Sequence, residues 1–355
     1  MVDKIYKQPL LLKIVFSLIV LLVFVGAFES VLSFVNIDLY EKNQFFPINR
    51  DIDFPEVYKK DKNLFWRFRP NQTINSRAFS DITYKINSDG FRGVELSNNK
   101  VDIKILALGN SCTFGWGVAQ NNVWTTLLEQ QLQTSMPSKK IEVINAGVPG
   151  YSSFQGKNYF INELIEKIQP DIVLIMFGWN DQWPAGKNIA DAEQKLPNSI
   201  VLGVQNKLSK MKMYQFWRKV ILSTTEKQET VPLDKQAGKR RVSLVEFREN
   251  LQEIIRAAKA NNITPILMVP PVASVENYFP GKTSRLHAQH YRYQNQIINT
   301  AKYENILVID HQPIFNQYND LYDNPNDDPI HFNIKGNYIF SKTILNNLFP
   351  VVNSL

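Results

Sequence analysis

The sequence predicts an α/β protein: a three-layer α/β/α sandwich with a mostly parallel five-stranded sheet, preceded by one transmembrane helix and a small neck and cap. Three observations predict it. From residue 101 onward, five short apolar runs alternate with five longer segments of helical periodicity, the rhythm of strands joined by helical crossovers. Most of the runs are rich in β-branched residues and apolar throughout, as suits strands covered on both faces. Near the N-terminus a stretch of about 19 apolar residues carries a single charge, long enough for a bilayer core of ~30 Å.

That first element is LLLKIVFSLIVLLVFVGAF, residues 10–28, with Lys13 its only charge; residues 30–35 extend it. Lys4, Lys7 and Lys13 against Asp3 on the leading side place the N-terminus in the cytoplasm and the rest outside. The expected organisation is a cytoplasmic tail (1–9), a signal anchor (10–35), a neck and cap (36–100) and the α/β body (101–350). A cleaved signal peptide is the competing reading. The apolar run exceeds the usual ~15-residue core of such peptides, and no clean small-x-small site precedes Glu29.

Within the neck, Thr83–Ile86 reads as a short strand, and Pro70, Asn71 and the cluster Asn87-Ser88-Asp89-Gly90 read as turns. In the body the expected strands are Ile103–Leu108, Ile141–Asn145, Ile172–Phe177, Pro265–Val269 and Ile306–Ile309. The expected helices are Val123–Gln133, Phe154–Ile168, Leu244–Ala260, Ser284–Lys302 and Ile334–Leu348. Residues 184–241 interrupt the rhythm. This insertion holds twelve lysines and arginines against five acidic residues, so it alone carries the chain's whole formal charge of +7. Met213, Phe216, Trp217, Val220 and Ile221 fall at helical spacing there. A packed helix with a solvated basic face, a substrate lid, and an edge resting on anionic headgroups all fit.

Composition sets further bounds. With 355 residues, 44% of them hydrophobic, 22 Phe and 14 Tyr, the chain has ample surface to bury and is not globally disordered. One cysteine excludes an intrachain disulfide framework and a Cys-rich zinc module. The N-terminal thirteen residues carry +2 and the insertion +7, so everything else sums to −2. The body is not basic, and nucleic acid is not an expected partner.

Ligands of such sheets bind beyond the carboxyl ends of the strands, so the residues just after each strand carry the information. The first strand leads into Gly109-Asn110-Ser111-Cys112, placing a serine hydroxyl at a strand-to-helix junction with free backbone N–H groups. A nucleophile elbow of the G-x-S-x-G type fails at Thr113, and a Walker motif is absent. A polar turn or a phosphate-cradling loop therefore also fits. The second strand ends in Asn145-Ala-Gly-Val-Pro-Gly150, and the third in Gly178-Trp-Asn180-Asp181, where Asn180 is an amide donor or simply a turn-former. Near the C-terminus, Asp328 and His331 lie three residues apart just before a helix. A carboxylate so placed can hold Nδ1–H and leave Nε2 to accept a proton, although the pair also suits a helix cap. His287 and His290 share one helix face but lack a third metal ligand, His311 stands alone, and Cys112 suits a small buried thiol.

These four blocks together resemble the SGNH (GDSL) hydrolase superfamily over roughly residues 101–350, the insertion excluded. NSDGFRG (87–93) and the Gly-Trp-Gly-Val after Ser111 resemble membrane-anchored bacterial members. The resemblance implies Ser111 as nucleophile, His331 as base and Asp328 as its orienting partner. It further implies an oxyanion hole from Ser111, Gly150 and Asn180, with Gly150 rather than Gly147 supplying the N–H, and no cofactor or metal. Asn110 stands where the family usually has aspartate, and Phe332 where proline usually follows the histidine. The expected activity is hydrolysis of a short acyl ester, such as O-acetyl on an extracytoplasmic glycan. An O-acyltransferase on a surface polysaccharide would use the same site; a non-catalytic, membrane-tethered glycan-binding domain and a flavodoxin-like nucleotide binder are the readings from other classes.

Overall fold

The computed structural model describes residues 10–35, 57–75, 82–225, 238–274, 285–326 and 328–354. The expected tail (1–9), residues 36–56 of the expected neck and residues 226–237 of the insertion lie outside them. The chain divides into two compact units, Met1–Lys60 with Pro197–Thr230, and Asp61–Leu196 with Val231–Leu355. Residues 61–100 thus belong with the α/β body, whereas the middle of the insertion belongs with the N-terminal segment.

The body is built on five strands: β1 (Ile103–Gly109), β2 (Ile141–Gly147), β3 (Ile172–Met176), β4 (Thr264–Val269) and β5 (Val308–Asp310), in spatial order β2-β1-β3-β4-β5. Every neighbouring pair is parallel. The major helices in chain order are α1 (Leu10–Val35), α2 (Trp124–Ser135), α3 (Ser153–Tyr159, continued through a π-turn over Phe160–Leu164 to Ile165–Ile168), α4 (Ser199–Leu208), α5 (Lys212–Thr225), α6 (Leu244–Ala260), α7 (Arg285–Glu304) and α8 (Ile334–Asn353). One face of the sheet packs Ile105, Ala107, Leu174 and Ile266 against Trp124, Leu128 and Leu132 of α2 and Phe340, Ile344 and Leu348 of α8. Helices α3, α6 and α7 cover the other face. Both faces being buried explains why the strands are continuously apolar.

Local chemistry sets the boundaries. Ser243 starts α6 because its hydroxyl accepts from the Glu246 N–H while the Glu246 carboxylate accepts from the Ser243 N–H. Strand β5 begins two residues later than the apolar run suggests. Ile306 N–H donates to the Ala301 carbonyl and Asn305 turns left-handed (φ 50°), so both still belong to the end of α7. Register then positions the site: Gly109 of β1 lies beside Gly147 of β2 and Met176 of β3. The loops beginning at Asn110, Val148 and Phe177 therefore leave the sheet edge side by side.

In the N-terminal unit, α1 is 26 residues long and is the one described helix long and apolar enough to cross a membrane. It packs against α5, with Phe28 edge-on to Phe216 at 6.1 Å. The insertion thus forms two helices rather than one, and its ends close on the body: Ala185 N–H donates to the Lys239 carbonyl and Arg241 N–H to that of Trp183, both at 2.8 Å.

Candidate active site

Asn110 caps the single-turn helix Ser111–Phe114, its Oδ1 accepting the Cys112 N–H at 3.0 Å. An aspartate would make the same bond, so the departure from the family pattern changes charge and keeps geometry. The small residue before it is needed for space. A Cβ on Gly109 would stand 2.0 Å from Thr113 Oγ1 and 2.7 Å from the Met176 carbonyl. Ser111 thereby becomes the first helical residue, and its N–H donates to no acceptor among the described residues.

Ser111 meets the C-terminal loop. Its Oγ lies 2.7 Å from His331 Nε2, and His331 Nδ1 lies 2.7 Å from Asp328 Oδ2. With Nδ1–H donating to the carboxylate, Nε2 is free to accept from the hydroxyl. Asp328 is itself fixed, since its Oδ1 accepts the main-chain N–H groups of Ile330 and His331 at 3.4 and 3.1 Å. Burial pushes the Asp328 carboxyl up, but the facing imidazole and these hydrogen bonds outweigh it and leave it below the ordinary aspartate range. Trp116 lies stacked over the His331 ring, centroids 5.8 Å apart. Phe332, in place of proline, turns into the core against Phe315 and Phe340.

Gly150 and Asn180 are tied together through Tyr151. Asn180 Nδ2 donates to the Tyr151 carbonyl at 2.9 Å, which leaves its second amide hydrogen available. Gly150 takes the left-handed conformation (φ 84°) that favours glycine. The peptide before it is held by the Trp66 indole, which donates to the Pro149 carbonyl at 3.3 Å. In a trans peptide the N–H points opposite its carbonyl. The Gly150 N–H is therefore directed away from Trp66, and it has no acceptor among the described residues. The following peptide is held by Arg241, whose Nη1 donates to the Gly150 carbonyl at 2.8 Å.

Arg241 belongs to a buried network invisible to residue spacing. Its fork pairs with Asp191 (Nη2–Oδ2 2.7 Å, Nε–Oδ1 3.1 Å) and reaches Gln155 Oε1 at 2.8 Å, and the Ser152 hydroxyl donates to Asp191 at 2.6 Å. Asp181 links the second and third loops, accepting from the N–H groups of Ser153 and Gly178 at 2.8 and 3.0 Å. Burial raises its carboxyl to about 6, although the Ser153 hydrogen bonds, the Arg241 charge and the Gly178 N–H act the other way. Arg92 is a third buried anchor. Its guanidinium donates to the carbonyls of Phe114, Gly115 and Val118, which fixes the loop that carries Trp116. The motif NSDGFRG signals Arg92; no sequence signal distinguishes Arg241 from its basic neighbours.

The remaining candidates lie elsewhere. His287 and His290 are buried, each with Nε2 against a main-chain carbonyl, Ala273 at 3.1 Å and Pro270 at 3.2 Å. His311 stacks on Phe340 at 3.7 Å with neither ring nitrogen partnered among the described residues. Cys112 is buried, its thiol directed at the Ile330 carbonyl and pushed up by burial, which opposes thiolate formation.

The model of the GDSL-like lipase/acylhydrolase family matches residues 107–339, well over half of the chain. The chain belongs to the GDSL-like lipase/acylhydrolase family. This family member is accordingly an SGNH-type ester hydrolase with the α/β fold described above. Solved structures similar to this GDSL-like hydrolase include a lipase/acylhydrolase from Enterococcus faecalis (21% identity, TM-score 0.45, 69% of this chain and 95% of that one). Others are an acetylxylan esterase from Geobacillus stearothermophilus (20%, 0.46, 70% and 94%) and the α/β hydrolase LAE5 from the metagenome of Lake Arreo, Spain (19%, 0.46, 70% and 95%). No curated protein matches the GDSL-like hydrolase significantly.

Proposed function

We propose that this GDSL-like hydrolase cleaves a short acyl ester, O-acetyl in the first instance, on a glycan outside the membrane that α1 crosses. The observation that carries the chemistry is the unbroken relay Ser111–His331–Asp328, 2.7 Å at each link. Ser111 Oγ attacks the ester carbonyl while His331 Nε2 takes its proton, and Asp328 orients the ring and stabilises its charged form. The tetrahedral oxyanion accepts from the N–H groups of Ser111 and Gly150 and from the Asn180 amide. The intermediate collapses, His331 protonates the departing alcohol, and an acyl-serine remains. Water, deprotonated by the same imidazole, then attacks the acyl-serine carbonyl; collapse releases the carboxylic acid and returns the proton to Ser111.

The O-acetyl and glycan assignments extend the resemblance to membrane-anchored bacterial family members. The lysines before α1 support a cytoplasmic N-terminus and a catalytic unit on the opposite side.

A fluorophosphonate is expected to label the full-length wild type and to leave Ser111→Ala unlabelled; equal labelling removes Ser111 from the mechanism. Turnover of p-nitrophenyl acetate in Asn180→Ala is expected to drop about 10²–10³-fold in kcat, the usual cost of one oxyanion donor. An acetyl donor incubated with and without acceptor glycan, with the products weighed, separates hydrolysis from transfer.

A further inference from the structure

Residues 195–225, which contain α4 and α5, hold five lysines and one arginine and no acidic residue. Both helices turn polar side chains inward and apolar ones outward, beside the inward contacts of Leu202 and of Phe216 with Phe28. In α4, Leu202 is 4% exposed, and Asn206 faces inward, exchanging hydrogen bonds of 2.7 and 2.9 Å with the Lys60 main chain. Turned outward instead are Ile200 (79% exposed), Val201, Val204 (52%) and Leu208, one stripe at i, i+1, i+4 and i+8. In α5 the same holds: Gln215 is buried and donates to the Ser209 carbonyl, whereas Trp217 is 54% exposed. The exposed Lys207 and Lys210 accompany this surface.

The position of α5 on α1 supplies the depth. The Glu29 carboxylate accepts from the N–H groups of Lys212 and Met213 at 2.6 and 2.8 Å, so α1 itself caps the start of α5. Glu29 stands nineteen residues beyond Leu10; at the helical rise that is about 28 Å, close to the ~30 Å hydrocarbon thickness. If α1 spans the bilayer from Leu10, its only carboxylate emerges at the far interface, and α5 begins there.

We propose that α4 and α5 lie in the outer membrane–water interface, their outward apolar stripe among the acyl chains and headgroups and their lysines against anionic phospholipid. The occupant of this face is thus a bilayer, not a protein. Apolar side chains outside, basic residues without acidic ones, and a tryptophan at the boundary are the features of an interfacial helix pair. The proposal rests on the reading that α1 crosses the membrane.

The test uses the full chain in nanodiscs of phosphatidylethanolamine and phosphatidylglycerol. A polarity-sensitive fluorophore is placed on single cysteines introduced as Val20→Cys in α1, Ile200→Cys and Val204→Cys in α4, and Glu253→Cys on the body. The native Cys112 is buried and serves as the unlabelled blank. With brominated lipids, the expected result is loss of fluorescence at positions 20, 200 and 204 and none at 253. Loss at position 20 with positions 200 and 204 behaving like 253 overturns the interfacial placement and leaves the crossing intact. No loss at position 20 overturns the crossing, and the interfacial placement with it.

Discussion

At the scale of single residues, the buried guanidinium of Arg241 joins the insertion to the loop after β2. It holds the Gly150 carbonyl and neutralises Asp191. Arg241→Met leaves a buried carboxylate alone, at a cost of about 3–5 kcal/mol in stability. The double variant Arg241→Met with Asp191→Leu removes that penalty but not the loss of the clamp. Urea unfolding is therefore expected to show recovery in the double variant, whereas kcat stays down about ten- to a hundredfold with KM nearly unchanged. His311 is the opposite case, a polar residue with neither ring nitrogen partnered among the described residues, stacked on Phe340 and edge-on to Phe315. His311→Phe keeps the stacking and removes an unsatisfied buried donor, and is expected to stabilise the fold by about 1–3 kcal/mol in the same assay. The junction positions of Ser111, Asp328 and His331 are legible in the sequence because their signals are local, whereas the roles proposed for them come from the resemblance. Arg241 and Asp191 were not, because what they touch lies between 39 and 91 residues away and leaves no periodic mark.

At the scale of elements, the single turn that carries Ser111 depends on its cap. Asn110→Ala removes the acceptor for the Cys112 N–H and is expected to cost about 1 kcal/mol. Asn110→Asp keeps the bond and is expected to leave stability within about 0.3 kcal/mol of wild type. Thermal denaturation of the two variants beside wild type checks both. Helix α6 was legible to the residue because Ser243 and Glu246 form a reciprocal cap. The start of β5 was not, because Ile306 reads as strand in apolarity while its N–H still serves the end of α7. The interruption of α3 by a π-turn had no sequence signal either. The amphipathicity of the insertion was plain from spacing, but spacing states only that a helix has two faces. Which face the protein covers is decided by partners such as Lys60 and Glu29.

At the scale of the whole molecule, stability integrates buried groups of opposite sign. Burial depresses His311 to about 3, below its ordinary value near 6.5, so the unfolded chain binds the extra proton between those limits. Its contribution is complete above pH ~6.5 and is lost as pH falls toward 3. Asp181, raised to about 6, acts the other way, losing stability as pH rises from ~4 to 6. Wild type compared with His311→Phe by denaturant unfolding from pH 7 to pH 4 isolates the histidine, and the variant is expected to lose less stability on acidification. The architecture itself was the most legible level: strand rhythm and the loops after each strand follow from a sheet buried on both faces. The basic insertion was plain from composition, but its division was hidden: nothing in the sequence marks residues 197–230 as grouping with the N-terminal segment and the ends of the insertion with the body. The relay of Ser111 and His331 also has a bearing on biosynthesis, because its two members are separated by 220 residues. A chain emerging from the ribosome displays Ser111 long before His331 is made. The proposed relay is thus incomplete until synthesis has passed residue 331, and the nascent hydrolase is expected to stay inert until then.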